Sequence, residues 1–176
     1  MTNYYLPQFQ LGFLNVTALN TILARWGTKA PTSTWNTTGD PCSGWAIDDS
    51  KDLDNNGQFN PGIKCDCTYN SSQTCHIVRL KVDQNYLTGP VPAFIGNLTQ
   101  LRVLSFGINA LSGPIPRELG NLQNLTILAM STNNFSGSIP EEFGNMTSLQ
   151  QWYMDSSGFS GELPETLSKL TNMLIL

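Results

Sequence analysis

Charged side chains are scarce in this chain. Only 12% of its 176 residues are Asp, Glu, Lys or Arg, about half of the usual quarter. The 13 acidic residues outnumber the 9 basic ones, which gives a net charge of −4. Nucleic acids and anionic membrane surfaces are bound by clusters of positive charge, so we expect no nucleic-acid partner.

Long apolar runs are also missing. The longest, at residues 125–130, has about six residues if Thr126 is allowed within it, whereas a membrane span needs roughly 18. Contact with a membrane is therefore expected only through parts of a parent protein outside this chain. Residues 1–7 lack the basic start and the apolar stretch of a secretory signal, which indicates that such a signal was removed or that the sequence is a fragment.

Histidine occurs once, at His76, so there is no second imidazole to share proton transfer. The Gly-rich phosphate loop and the His-Arg-Asp and Asp-Phe-Gly triplets of protein kinases are absent. Asp52 to Gly57 resembles the first half of a calcium loop, but Ile63 stands where the bidentate Glu is required. We therefore expect no catalytic residues, no cofactor and no metal in this segment.

What the chain does contain is a repeat of 24 residues, which runs without insertion through rows 77–100, 101–124, 125–148 and 149–172 and restarts at Met173. The recurring residues are Ile77, Leu101, Leu125 and Leu149 at position 1; Leu80, Leu104, Leu128 and Trp152 at position 4; Val82, Phe106, Met130 and Met154 at position 6; Gly89, Gly113, Gly137 and Gly161 at position 13; and Pro92, Pro116, Pro140 and Pro164 at position 16. Positions 4 and 6 alternate with polar or small residues, which predicts one short strand per row with one buried face.

Position 9 holds Asn85, Asn109 and Asn133, with Ser157 in the fourth row. An asparagine amide can satisfy backbone groups where the chain turns out of a strand, so we expect a buried asparagine ladder. No row can bury its apolar residues alone, so the rows must stack. This period predicts an α/β repeat fold: a right-handed leucine-rich-repeat solenoid.

The residues before the repeat are expected to cap its open end. We divide the chain into an N-terminal extension (1–14), a cap (15–76) and the repeats (77–176). An amphipathic helix is predicted from about Thr17 to Trp26. Two strands, at 63–67 and 75–78, are predicted to form a hairpin.

All four cysteines, Cys42, Cys65, Cys67 and Cys75, lie in the cap and allow three disulfide pairings. We prefer Cys42 with Cys65 and Cys67 with Cys75, because the second bond would cross-link the predicted hairpin. The alternative is a zinc site made by Cys65, Cys67, Cys75 and His76, although its spacing departs from the usual paired motifs.

Glycosylation signals, Asn-x-Ser or Asn-x-Thr, are frequent. They occur at Asn15, Asn36, Asn70, Asn97, Asn124, Asn134 and Asn145. Together with clustered cysteines and a largely uncharged polar surface, they favour an extracellular glycoprotein.

If the strands line the inside of a curved solenoid, the residues between the buried ones project from its concave face. The expected ligand-binding residues are Arg79, Lys81, Asp83, Tyr86, Val103, Ser105, Ile108, Ile127, Ser131, Gln151, Tyr153 and Asp155. Among them, Val103, Ile108 and Ile127 are expected to form an apolar strip between Tyr86 and Tyr153.

The segments Leu111-Ser-Gly-Pro-Ile-Pro116, Phe135-Ser-Gly-Ser-Ile-Pro140 and Phe159-Ser-Gly-Glu-Leu-Pro164 resemble the plant-specific leucine-rich repeat, which ends in Leu-x-Gly-x-Ile-Pro. The cap, with Asp40-Pro-Cys-Ser-Gly44 and Phe59-Asn-Pro-Gly-Ile-Lys-Cys-Asp-Cys67, resembles that of plant receptor-like Ser/Thr kinases of subfamily VIII. In that family a malectin-like domain, one membrane span and a cytoplasmic kinase follow the repeats. This chain contains none of the three.

The resemblance implies a non-catalytic module that binds a ligand or a co-receptor. The expected partners are a peptide, glycan or protein ligand and a co-receptor. The expected location is the extracellular face of the plasma membrane or the cell wall space. The alternative is a stand-alone secreted repeat protein, such as a hydrolase inhibitor or an adaptor.

Overall fold

A computed structural model of the chain describes residues 19–29, 35–43, 46, 60–69 and 74–176. Eight strands are present in these ranges: β1 (Gly62–Tyr69), β2 (Thr74–Lys81), β3 (Thr88–Gly89), β4 (Val103–Ser105), β5 (Ala110–Gly113), β6 (Ile127–Ala129), β7 (Asn134–Phe135) and β8 (Gln151–Tyr153). In the repeats, residues 77–176, four 3-10 helices span Ala93–Asn97, Arg117–Asn121, Glu141–Asn145 and Glu165–Lys169. Within the described ranges, no helix is both long and apolar enough to cross a membrane.

The main sheet has the order β1-β2-β4-β6-β8. β1 and β2 form an antiparallel hairpin, and the other strands pair in parallel, one from each row. Leu80, Leu104, Leu128 and Trp152 are successive partners across the sheet. A constant repeat length produces this alignment, because every row brings the same position back to the same height. The predicted stack of parallel strands is confirmed.

One apolar core runs along the stack under this sheet. The side chains at positions 1, 4 and 6 of the second row, Leu101, Leu104 and Phe106, are completely buried. Trp152 replaces leucine in the fourth row and packs against Phe143, with ring centroids 5.6 Å apart. Each row therefore buries its apolar face against its neighbours, as the periodicity predicts.

The prediction of one strand per row is wrong for the first three rows, which each contain a second short strand. β3, β5 and β7 form a separate parallel sheet. The apolar residue at position 11, such as Leu87 or Leu111, is buried and draws this part of the chain towards the core. Backbone groups of neighbouring rows then meet, as where the Ala110 N–H donates to the Leu87 carbonyl over 2.8 Å. Strands of two to four residues leave too little alternation in the sequence to be predicted.

The asparagine ladder is present. Oδ1 of Asn109 accepts the N–H groups of Asn85 (2.9 Å) and Leu87 (3.1 Å) in the preceding row. Its Nδ2 donates to the carbonyl of Val82 (3.0 Å) in that preceding row and to the carbonyl of Phe106 (2.9 Å) in its own row. Asn133 makes the corresponding bonds one row later. Each of these side chains is therefore bonded on both sides of a row boundary.

The ladder begins in the cap, at Asn60. Asn85 Nδ2 donates to Asn60 Oδ1 (2.8 Å), and Asn60 Nδ2 donates to the carbonyl of Asp83 (2.6 Å). The repeat spacing does not reveal Asn60, because it lies 25 residues before Asn85 rather than 24. At the other end the buried Ser157 donates its hydroxyl to the Met154 carbonyl within its own row.

The four 3-10 helices carry the chain back along the side opposite the sheet. Each follows a proline of position 16, whose fixed φ suits a helix start. Successive helices pack so closely that Gly120 has no room for a side chain: a Cβ there would lie 2.4 Å from the carbonyl oxygen of Glu142 in the next row. Gly96 and Gly144 lie in the same crowded position, whereas the fourth row has Ser168.

The cap covers the first row. Residues 19–25 form a helix that buries Leu19, Ile22 and Leu23, and Trp26 Nε1 donates to the Pro90 carbonyl over 3.2 Å. The part of the predicted helix before residue 19 lies outside the described residues, as does the candidate calcium loop at Asp52.

Two disulfides, Cys42–Cys65 and Cys67–Cys75, hold the cap together, so the preferred pairing is confirmed. The zinc alternative is wrong, because all four sulfur atoms are in disulfide bonds. The predicted hairpin is also confirmed, and its second strand, β2, continues from the cap into the first row.

Replacing Asn109 by Ala leaves the backbone groups of two rows without partners. We expect the free energy of unfolding to fall by about 1–3 kcal/mol. The control is Asn121→Ala, because Asn121 is exposed at the end of a 3-10 helix. Urea denaturation of both variants measures the difference, and equal midpoints would contradict a stabilising ladder.

Gly120→Ala should also destabilise the stack, by roughly 1–3 kcal/mol, because the added methyl group forces two rows apart. Ser168→Ala removes only a hydroxyl at the equivalent position of the fourth row and should change stability little. Thermal unfolding compares the two. A Gly120→Ala variant as stable as the parent protein would mean that the rows separate at little cost.

Candidate ligand-binding face

The side of the main sheet that faces away from the core is called the open face here. Two lines of side chains cross it, because every second residue of a strand points to the same side. Arg79, Val103, Ile127 and Gln151 form the first line, and Lys81, Ser105, Ala129 and Tyr153 form the second. All are partly or largely exposed. Neighbouring strands lie about 4.8 Å apart, so four rows span roughly 14 Å.

The third line, at position 7, is partly used for internal bonds. Asp83 accepts hydrogen bonds from the hydroxyl of Ser105 and from the N–H of Gly107 (2.9 Å) in the next row. Ser131 donates its hydroxyl to Asp155. Asp155 is exposed, whereas Asp83 is half-buried. Asp83 therefore acts as a link between the first two rows as well as lying on the open face.

Charge is distributed unevenly along the open face. The first row contributes Arg79, Lys81 and Asp83, and the fourth contributes Asp155. The lines at positions 3, 5 and 7 contain no ionisable side chain in the second and third rows. The middle of the face is therefore uncharged.

The expected apolar strip is divided between two places. Val103 and Ile127 are direct partners on β4 and β6, in the middle of the open face. Ile108 and Tyr86 lie beyond the ends of the strands, where the chain turns. Tyr153 is on β8, and its hydroxyl lies 3.1 Å from Oε1 of Gln151. The structure brings Val103 and Ile127 together but separates them from the two residues at the turn.

A salt bridge joins the hairpin to the second row at its outer edge. Nη2 of Arg102 lies 3.0 Å from Oδ2 of Asp66. The other carboxylate oxygen of Asp66, Oδ1, accepts hydrogen bonds from the hydroxyl and the backbone N–H of Thr68. The Thr68 hydrogen bonds, followed by the positive charge of Arg102, hold the pKa of Asp66 below its usual value. His76 packs edge-on against Tyr69, with ring centroids 4.7 Å apart.

The described ranges contain no candidate metal centre. Nowhere in these ranges do three or more His, Cys, Asp or Glu side chains lie close enough together to hold a metal. The disulfides remove the cysteines as nucleophiles. The arrangement of the open face is suited to contact with another molecule over several rows.

Five of the seven glycosylation signals lie on described residues, and all five asparagines are exposed: Asn36, Asn97, Asn124, Asn134 and Asn145. Asn15 and Asn70 lie outside the described residues. Asn124 already donates from Nδ2 to the Thr99 carbonyl over 3.0 Å. Asn134 follows the turn beside the open face, whereas Asn97 and Asn145 end 3-10 helices on the opposite side.

A model of the family described as Leucine Rich Repeat matches residues 124–146. Those residues cover almost the whole third row, with its strand, turn and 3-10 helix. The chain has the leucine-rich-repeat fold. Each leucine-rich repeat contributes one strand to the open face.

One curated relative is a probable LRR receptor-like serine/threonine-protein kinase of Arabidopsis thaliana, At1g56130, which is 46% identical over 84 residues. That match covers 48% of this chain and 8% of the relative, so the chain spans only a small part of the relative's length. The leucine-rich repeats are thus homologous to those of a plant receptor kinase.

Two solved structures illustrate the fold. The Arabidopsis receptor kinase HAESA, in complex with the peptide hormone IDA and the co-receptor SERK1, is 31% identical with a TM-score of 0.55, and the match covers 56% of this chain and 17% of HAESA. The ectodomain of the Arabidopsis receptor kinase SOBIR1 has a TM-score of 0.63 at 23% identity, covering 90% of this chain and 74% of that one. The second likeness concerns the fold alone, and it includes the cap.

The different surroundings of Asp83 and Asp155 lead to a prediction. Asp83→Ala leaves the Ser105 hydroxyl and the Gly107 N–H without their partner, so we expect a loss of about 1–2 kcal/mol in the free energy of unfolding. Asp155→Ala, at the equivalent position of the fourth row, removes an exposed contact and should cost less than about 0.5 kcal/mol. Chemical denaturation measures both. Equal losses would argue against the linking role of Asp83.

Proposed function

We propose that the chain is the non-catalytic recognition module of a plant receptor-like Ser/Thr kinase and binds a peptide or protein ligand, or a co-receptor, through its open face. The observation that carries this proposal is the alignment of side chains of different chemistry across four rigidly stacked rows. Such a surface can contact an extended partner at several points but offers no reactive group to transform it.

The comparisons support this assignment in two ways. The relative in Arabidopsis is a probable receptor kinase, and the HAESA structure contains a peptide hormone and a co-receptor bound to a related ectodomain. By extension, the parent protein would have further domains beyond the part represented here.

On the basis of the cap motifs alone, we propose that these further domains follow the order of subfamily VIII: a malectin-like domain, a membrane span and a kinase.

The proposed organisation is an N-terminal extension (1–14), a cap (15–76) and repeats (77–176), located at the extracellular face of the plasma membrane or in the cell wall space. The disulfides suit this oxidising environment. The exposed asparagines of the glycosylation signals would carry glycans there. A glycan ligand is a further proposal.

The complete transcript distinguishes the receptor from the stand-alone secreted protein. We expect the coding sequence after Leu176 to continue into a malectin-like domain, an apolar span and a kinase. A repeat-capping motif followed by a stop codon would instead identify a secreted inhibitor or adaptor.

A pair of substitutions tests whether the open face binds. Ile127→Glu places a charge in the uncharged middle of the face and should weaken binding of a secreted-peptide or co-receptor partner at least tenfold, because the carboxylate must be desolvated in the complex. Gln123→Glu is the control, since Gln123 is exposed and directly follows the 3-10 helix Arg117–Asn121, away from the open face.

Surface plasmon resonance on the immobilised ectodomain measures both affinities, and circular dichroism verifies folding. If Gln123→Glu weakens binding and Ile127→Glu does not, the ligand site lies elsewhere on the molecule.

A further inference from the structure

Two large apolar side chains are exposed at the turn where the chain leaves the open face. Tyr86 exposes 92% of its surface and Ile108 exposes 54%. The apolar residues in the middle of the face, Val103 and Ile127, are half-buried by comparison. Tyr86 and Ile108 are called the turn patch here.

Both residues of the turn patch have a backbone conformation that disfavours them. Tyr86 has a φ of 55° and Ile108 a φ of 52°, in the left-handed region, where bulky and β-branched residues are rare. Position 8 is left-handed in every row, but the other rows place Gln84, Thr132 and Ser156 there. Among the four residues at position 8, only Ile108 has a β-branched hydrocarbon side chain.

The same comparison applies to Tyr86. The residue at its position in the fourth row is Gly158, which has a φ of 94° and takes up the left-handed region without steric cost. The chain therefore contains, at equivalent places, residues that suit this backbone better. Neither core packing nor turn geometry explains why Tyr86 and Ile108 occupy these positions. Contact with another molecule would explain it.

Hydrogen bonds bring the two positions together. The Asn85 N–H donates to Asn109 Oδ1, and the Ala110 N–H donates to the Leu87 carbonyl. Tyr86 is the residue between Asn85 and Leu87, so its backbone runs beside residues 109–110. Ile108 immediately precedes them in the next row.

The surroundings of the turn patch indicate what could cover it. The exposed neighbours at positions 8, 10 and 12 are uncharged: Gln84, Thr88, Ala110, Thr132 and Asn134. The two side chains offer on the order of 300 Å² of surface, far below the roughly 800 Å² that each partner contributes to a stable interface. Stable dimerisation with a second copy of this chain would need a much larger contact area. The patch has the size of one anchor residue of a peptide.

We propose that Tyr86 and Ile108 hold an aromatic or aliphatic side chain of an extended, uncharged peptide segment at the N-terminal end of the open face. This inference rests on the proposed function and specifies where the ligand is anchored and by what chemistry. On this proposal the unfavourable backbone conformation of Tyr86 and Ile108 serves ligand binding and contributes nothing to folding stability.

Stability measurements test the first half of this proposal. Tyr86→Gly and Ile108→Gly should each leave the unfolding temperature unchanged or raise it by roughly 2–4 °C, because glycine relieves the left-handed strain. Gln84→Gly is the matched control, being exposed and left-handed at position 8 but polar. A fall of several degrees in the Tyr86 or Ile108 variant would give the patch a structural role and overturn the proposal.

Binding measurements test the second half, with a phage-displayed library of random linear heptapeptides as the probe and the full disulfide-bonded chain as the target. We expect enrichment of uncharged peptides that share an aromatic or aliphatic residue. Their affinity should fall roughly 30-fold or more in the Tyr86→Gly/Ile108→Gly double variant. Gln84→Gly, Tyr86→Phe and Ile108→Leu should retain it.

Three outcomes would overturn the turn patch as an anchor. Enriched peptides that bind the double variant as well as the parent chain, but lose affinity for Ile127→Glu, would place the ligand on the middle of the face and leave the proposed function intact. Failure to enrich any peptide would remove the anchor. Self-association that disappears in the double variant, measured by sedimentation, would identify a second copy as the occupant.

Discussion

The stack depends on one hydrogen-bonding device that is repeated from the cap to the third row, in which an asparagine side chain satisfies backbone groups of its own row and of the row before. A chain that turns after a strand of three residues leaves peptide groups that a regular sheet cannot satisfy. Asn109 and Asn133 bond them from within the stack, and Asn60 extends the device into the cap. Together with the constant repeat length, these bonds keep the first three rows, and so their outward side chains, in alignment.

The residues of the open face can differ from row to row because other positions of the repeat form the core and the ladder. Positions 4, 6 and 9 are committed to the core and the ladder, so every row has apolar residues at positions 4 and 6 and Asn or Ser at position 9. Position 3 makes no such contribution and holds Arg79, Val103, Ile127 and Gln151 in succession. Chemical variety on a constant frame is what recognition of a particular partner requires, and the frame supplies the rigidity that keeps the cost of ordering low.

Much of this architecture can be predicted from the sequence because it repeats. The period, the parallel sheet and the ladder are each supported by several residues at one spacing, and the short loop between Cys67 and Cys75 favoured one pairing. Features that occur once are less accessible: Asn60 is out of register with the repeat, and the hydrogen bonds of Asp83 depend on its three-dimensional neighbours. The left-handed backbone conformation of Tyr86 could not be predicted either, since a tyrosine in the sequence does not indicate a positive φ.

The strand shared by the cap and the first row has a consequence for how such molecules can be divided or recombined. β2 runs from Thr74 to Lys81 and pairs with the hairpin on one side and with a repeat on the other. A cut between residues 76 and 77 would split this strand and leave both pieces with an unfinished sheet edge. The cap and the first repeat therefore share one strand, and a junction between later rows would leave that strand whole.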